Sequence, residues 1–211
     1  MRKAISKGLD LLIGVLALWV WLSSFFVTGR HGAFSVEGLQ SLRYFTVLSN
    51  LLQAGVCLAC LCGAKVGRWK YVAAVSVALT FFVVLLLLGP AYGYDSMYVG
   101  ANLWFHLILP ILSMVNFLIV DREGTFSLRD SLLTLIPMLA YSLFYVGSLL
   151  VNGVRDNDWY GFAKHGPQSA AAAFLIILGL NWIIALLMRL PRRRPAHPAH
   201  RWPARWKPRP R

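Results

Sequence analysis

Residues 71–89 read YVAAVSVALTFFVVLLLLG, a run without a single charge, and its reading decides the fold class. Apolar and polar side chains do not alternate along it, which excludes a half-buried strand. Crossing a bilayer core takes roughly 20 apolar residues in a helix, and a helix satisfies its own backbone polar groups in lipid. Working outward, similar stretches lie at 8–28, 44–63, 102–120, 131–152 and 168–188. Composition agrees, with 58% hydrophobic and 14% charged residues and a mean hydropathy of +0.61. Soluble domains carry nearly twice that charge fraction. The expected fold is all-α, a polytopic membrane protein with six transmembrane helices over 1–188, followed by a disordered basic Pro/Arg-rich tail over 189–211.

The start, Met1-Arg2-Lys3 and then an apolar run, imitates a signal peptide, but the run is long and no small-residue cleavage site follows Ser23-Ser24, so it is read as the first span. Of the 21 Lys and Arg residues, 17 fall on the side of the N-terminus, the loops 64–70 and 121–130 and the tail. The other side holds Arg30, Arg43, Arg155 and Lys164. The positive-inside rule then predicts both termini in the cytoplasm; the expected location is the plasma membrane of a bacterial cell.

The net charge of +13 is concentrated in the tail, which lacks a folding core or an aromatic platform. Nucleic acid is therefore not expected as a partner. Anionic lipid headgroups are, with Trp202 and Trp206 resting among them. Cys57, Cys60 and Cys62 lie toward the cytoplasmic end of the second span, where a disulfide is excluded and small apolar packing is the simplest role. No metal set and no cofactor motif is present: the C-x-x-C-x-C spacing has no further ligand near it, and nucleotide loops and H-E-x-x-H are lacking.

Polar side chains inside apolar spans carry the functional signal, because in hydrocarbon they turn toward a bundle interior. Span two opens with Arg43-Tyr44-Phe45-Thr46-Val47-Leu48-Ser49-Asn50, and span four with Asn102-Leu103-Trp104-Phe105-His106. Both run in the same direction, which places Thr46 and His106 on the order of 5 Å below the same surface. Thr46, Asn50 and Gln53 share one stripe; Asn102, His106, Pro110 and Ser113 share another. Threonine becomes a nucleophile when a base takes its proton, and neutral histidine is such a base. Singly, each has a structural reading, Thr46 bonding to its own helix and His106 joining two helices.

Asn50, Asn102 and Tyr145 are the candidate oxyanion donors or lining groups, Asn50 ranking first. Asp95, Asp156 and Asp158 lie in outer loops, and none is obviously placed to complete a triad. Loop 153–167 offers Trp159 and Tyr160 as either a headgroup-level belt or a collar controlling substrate access, with Gly153, Gly161 and Gly166 allowing bends. Loop 90–101 is its expected neighbour. Deeper in the bundle, Asn181 is expected to bond between helices, Ala170–Ala173 and Gly179 to permit close packing, and Pro110 and Pro137 to kink their spans. Asp10 is read as near water.

Three features together resemble a known family: Tyr44-Phe45-Thr46-Val47-Leu48-Ser49-Asn50-Leu51-Leu52-Gln53, Asn102 followed by His106 and Pro110, and Asp158-Trp159-Tyr160-Gly161-Phe162. The pattern is similar to the six-span androgen-induced and androgen-dependent TFPI-regulating membrane hydrolases and their uncharacterised bacterial relatives. That resemblance implies a threonine/histidine dyad hydrolysing fatty acid esters of hydroxy fatty acids, at positions matching Thr46 and His106. Leu103 stands where the family pattern carries a further His, and the tail has no counterpart there. The expectation is a lipid-ester hydrolase working on membrane lipids or a lipid-like substrate. A non-catalytic lipid-binding or assembly protein and a small-solute transporter remain open, as does oligomeric state.

Overall fold

The computed structural model describes residues 1–26, 38–121, 124–155 and 157–192, and these are helical, with no strand among them. Six principal helices follow in order: α1 (Arg2–Ser23), α2 (Phe45–Leu61), α3 (Gly67–Tyr92), α4 (Gly100–Val120), α5 (Leu128–Asn152) and α6 (Pro167–Arg192). Five are long and apolar enough to cross a membrane; α2 is apolar but has only 17 residues. At 1.5 Å per residue it extends roughly 25 Å, somewhat less than a typical bilayer core of about 30 Å. Arg30, Asp156, Trp202 and Trp206 lie outside the described residues.

α3, which contains the uncharged run 71–89, is the hub. Of its apolar window 67% is buried, against 33–39% in the other four long helices. α2, α4 and α6 pack around it, α1 lies across α2 and α4, and α5 lies on α6. Outward faces carry exposed Trp19, Leu143, Leu150, Leu175, Ile176 and Leu187. Water would penalise so large an apolar surface, whereas lipid tails solvate it.

Proline shapes α3 and α4 in the same way. Before Pro90 the helix widens to a π turn over Val84–Leu88, and before Pro110 it widens over Trp104–Ile108. In each case the residue preceding proline sends its N–H five positions back, Gly89 to Val84 and Leu109 to Trp104. Proline then has no N–H for the next carbonyl, so that oxygen leaves the helical ladder. Side chains from elsewhere donate to both: Tyr94 Oη to the Leu85 carbonyl at 2.8 Å, and Asn50 Nδ2 to the Phe105 carbonyl at 3.1 Å. Near Pro137, α5 breaks at Thr134, whose carbonyl accepts from Asn181 Nδ2 at 2.8 Å. Gly89 makes the first arrangement feasible, since a Cβ there would lie 2.2 Å from the Tyr94 ring.

α1 extends back to Arg2, ahead of the apolar stretch 8–28, and its charged residues do not interrupt the helix. Three expectations change. The first residues of the expected disordered tail are ordered: Arg189 donates to the Phe126 carbonyl at 2.9 Å, and the Arg192 guanidinium lies 4.0 Å from the Phe117 ring centroid and donates to its carbonyl. Residues 193–211 lie outside the described residues. Asp10 is only 1% exposed, because partners distant in sequence enclose it. Lys70 Nζ lies 2.8 Å from Asp10 and 2.6 Å from Asp121, while Asn116 donates to Asp10 at 2.8 Å. Cys57 lies 3.5 Å from the same carboxylate, so it packs as a polar neighbour of an ion pair and not only as a small apolar residue.

Candidate functional site

At the bundle end opposite the N-terminus, the start of α2, the end of α3 and the start of α4 diverge around a cavity of about 430 Å³. α2 contributes Thr46 and Val47, with Tyr44 just before it; α4 contributes Asn102 and His106. Leu88 and Tyr92 come from α3, Ser96 and Met97 from the link to α4, and Trp159 and Tyr160 from loop 153–166. Five residues singled out in the sequence, Thr46, Asn102, His106, Trp159 and Tyr160, therefore line one space. Asn50 and Tyr145 are not on its wall.

His106 sits in the wide turn of α4 with 7% of its surface exposed. Its Nδ1 lies 2.8 Å from the Met97 carbonyl. A carbonyl can only accept, so Nδ1 carries the proton and a neutral ring keeps its lone pair on Nε2. Nε2 makes no hydrogen bond among the described residues. The second nitrogen is thus available as a base, its tautomer fixed by backbone and not by a carboxylate. Asp158 is committed elsewhere: it accepts from the Tyr145 hydroxyl and from the Ala163 N–H at 2.8 Å. Asp95 is exposed.

Thr46 is the second residue of α2, half-buried, and no hydrogen bond joins its hydroxyl to His106. Helix starts leave N–H groups unpaired and carry partial positive charge, which favours a developing anion nearby. Here the Tyr160 hydroxyl accepts from the Phe45 N–H at 3.0 Å, capping a helix that Tyr44 does not cap. Burial, with smaller opposing contributions from hydrogen bonds, pushes the Tyr160 phenol up to about 12. It remains a neutral hydroxyl under ordinary conditions.

The two leading amides differ in availability. Asn50 gives its N–H groups to the Thr46 carbonyl at 2.8 Å and the Phe105 carbonyl at 3.1 Å, stitching α2 to α4. That removes it as the first oxyanion donor: the nearby proline has created a stronger local demand. Asn102 stays on the cavity wall, with only a 3.5 Å contact to the Ser96 carbonyl. Tyr145 is fully buried among Trp159, Tyr160 and Phe174, so it supports the loop from below.

Loop 153–166 is pinned around Trp159 and Tyr160. Trp159 donates to the Tyr141 hydroxyl at 3.0 Å, which donates to the Arg43 carbonyl at 2.7 Å; Tyr92 donates to the Tyr160 carbonyl at 2.8 Å. Gly161, at φ +69°, has Tyr92 Oη 2.7 Å from where a Cβ would stand. Arg43, which the sequence presents only as a loop charge, lies 5.5 Å from the Tyr44 ring centroid and 5.9 Å from that of Trp159. Met97 carries no sequence signal, since it acts through its backbone. A smaller apolar space of about 30 Å³ shares Thr46, Leu88 and Tyr160 with the main cavity. No protein family, curated protein or solved structure matches this chain.

Proposed function

We propose that the cavity is a lipid-ester hydrolase site with Thr46 as nucleophile and His106 as general base, in a six-span protein of the cell membrane with both termini cytoplasmic. The observation carrying this reading is that Thr46 lines the same cavity as a histidine whose proton is fixed on Nδ1 and whose Nε2 is available. In the reaction, Nε2 takes the Thr46 hydroxyl proton as Oγ1 bonds to the ester carbonyl carbon. The alcohol leaves with that proton. Water then attacks the acyl-threonine, reprotonates Oγ1 through His106 and releases the acid. Asn102 is the amide available to the oxyanion. Motif similarity to the six-span membrane hydrolases supports the same assignment.

A non-catalytic lipid-binding role is favoured by one observation, the lack of a Thr46–His106 hydrogen bond. The test is labelling of the purified full chain with a lipid-like fluorophosphonate, comparing wild type with Thr46→Ala and His106→Ala. Labelling lost in both folded variants is the expected result. Absence of labelling in folded wild type would transfer the assignment to lipid binding.

A further inference from the structure

At the opposite end of the bundle a second cavity, of about 460 Å³, opens between the start of α1, the end of α2, the start of α3 and the end of α4. Lys3, Ser6, Lys7 and Asp10 fall at helical spacing on one stripe of α1, and all four line it, together with Arg2. Its floor is the Lys70 ammonium, held between the Asp10 and Asp121 carboxylates. The two acids thus already face a cation, and Asp10 also accepts from Asn116. Arg2, Lys3 and Lys7 add three positive charges around the mouth, so the lining as a whole carries a net charge of +2.

Ser6 gives a second, independent indication. It is 7% exposed and lines the cavity, yet its hydroxyl makes no hydrogen bond among the described residues. Serines inside helices commonly back-bond to a carbonyl of the preceding turn. An unpaired hydroxyl on a buried residue that lines a cationic cavity has the chemistry of a donor waiting for an anionic oxygen. We infer that this vestibule is a binding site for an anionic phosphate group, with Arg2, Lys3 and Lys7 supplying charge and Ser6 a hydroxyl donor. Basic pockets between helix ends at a membrane surface take phospholipid headgroups in this manner. A soluble phosphate offers the same oxygens. The site is independent of the Thr46 cavity and of any hydrolase reading.

Native mass spectrometry of the full chain in detergent, titrated with phosphatidylglycerol or phosphatidylcholine, provides the test. Wild type is expected to retain phosphatidylglycerol about ten-fold better, following the contribution of each basic residue near a membrane surface. Arg2→Glu/Lys7→Glu, at two exposed positions, should lower that preference about three-fold or more, leaving the part that the basic tail contributes, and Ser6→Ala should lower retention of phosphatidylglycerol itself about three-fold, the loss of one hydrogen bond to phosphate. Lys65→Glu, exposed and outside the cavity, should leave the preference unchanged. Equal retention of both lipids, or a preference left unchanged by the double reversal, overturns the proposal. Millimolar inorganic phosphate displacing the lipid identifies a soluble source for the bound group; failure to displace it identifies the membrane lipid.

Discussion

Gly89→Ala offers a test whose sign separates the structure from ordinary helix chemistry. Gly89 has helical backbone angles, φ −60° and ψ −50°, where alanine ordinarily stabilises by roughly 1 kcal/mol. The Tyr94 ring reverses that expectation: the new Cβ would stand 2.2, 2.5 and 2.8 Å from three of its carbons. No side-chain carbon tolerates such distances, so the ring swings away and its hydrogen bond to the Leu85 carbonyl breaks. Pro90 cannot replace the lost donor. An unsatisfied carbonyl costs about 1–3 kcal/mol, and loss of the Tyr94–Tyr98 stacking adds roughly 0.5–1. After subtracting the helix gain, net destabilisation is about 0.5–3 kcal/mol. Thermal unfolding in detergent would compare Gly89→Ala, Tyr94→Phe, Tyr94→Ala and Gly89→Ala/Tyr94→Ala. Tyr94→Phe should lose the hydrogen bond while leaving the glycine site intact. With no ring to strike, the added methyl should cease to harm the Tyr94→Ala protein, giving strong non-additivity. Stabilisation by Gly89→Ala in wild type, or simple additivity in the cycle, would refute the account of the wide turn.

Three further outcomes follow from other contacts. Asn50→Leu should destabilise by about 1–3 kcal/mol through two lost hydrogen bonds, yet leave fluorophosphonate labelling of the folded protein intact because Asn50 is off the cavity wall; loss of labelling without loss of stability would restore it as an oxyanion donor. Lys70→Met leaves the nearly fully buried Asp10 without its cation and should cost about 3–5 kcal/mol, measurable by denaturant or thermal unfolding, while Asp10→Asn should cost less because Lys70 retains Asp121 and the new amide oxygen still accepts from Asn116. Tyr160 binds its proton more tightly in the folded protein than a free phenol does, so its contribution to stability is fully present below about pH 10 and falls between pH 10 and about 12; Tyr160→Phe should flatten that part of the stability profile, and an unchanged slope would show that Tyr160 does not carry it.

Apolar run length reveals the helices because lipid imposes a simple requirement on every spanning segment. The same signal does not register the first turns of α1, where Arg2, Lys3 and Lys7 precede the apolar stretch within one helix. Thr46 and His106 are recognisable as costly polar residues in apolar runs, and their placement around one cavity follows from matched depth on helices of like direction. Which amide serves the site is not legible. Asn50 looks available until the wide turn at Pro110 creates a carbonyl for it, and the fixing of His106 by Met97 uses only backbone atoms, which leave no mark on residue type. Asp10 likewise looks solvent-facing because Lys70, Asn116 and Asp121 reach it only after the bundle assembles.

The wide turn over Trp104–Ile108 also determines how this helix tolerates changes in chain length. An α-helix advances about 100° per residue, and a π turn accommodates roughly one residue more than an ordinary turn. Because the wide turn absorbs that extra residue, a deletion within it would let α4 revert to regular winding with its two halves nearly in phase, whereas deleting Leu103, just outside it, would rotate everything N-terminal to the deletion by about 100°. Asn102 and the link bearing Met97 would then face away from His106, although every side chain at the site remained in the sequence. The histidine's tether therefore depends on a count of residues as much as on their identities, so that a single-codon deletion just outside the turn is a harsher perturbation than most substitutions.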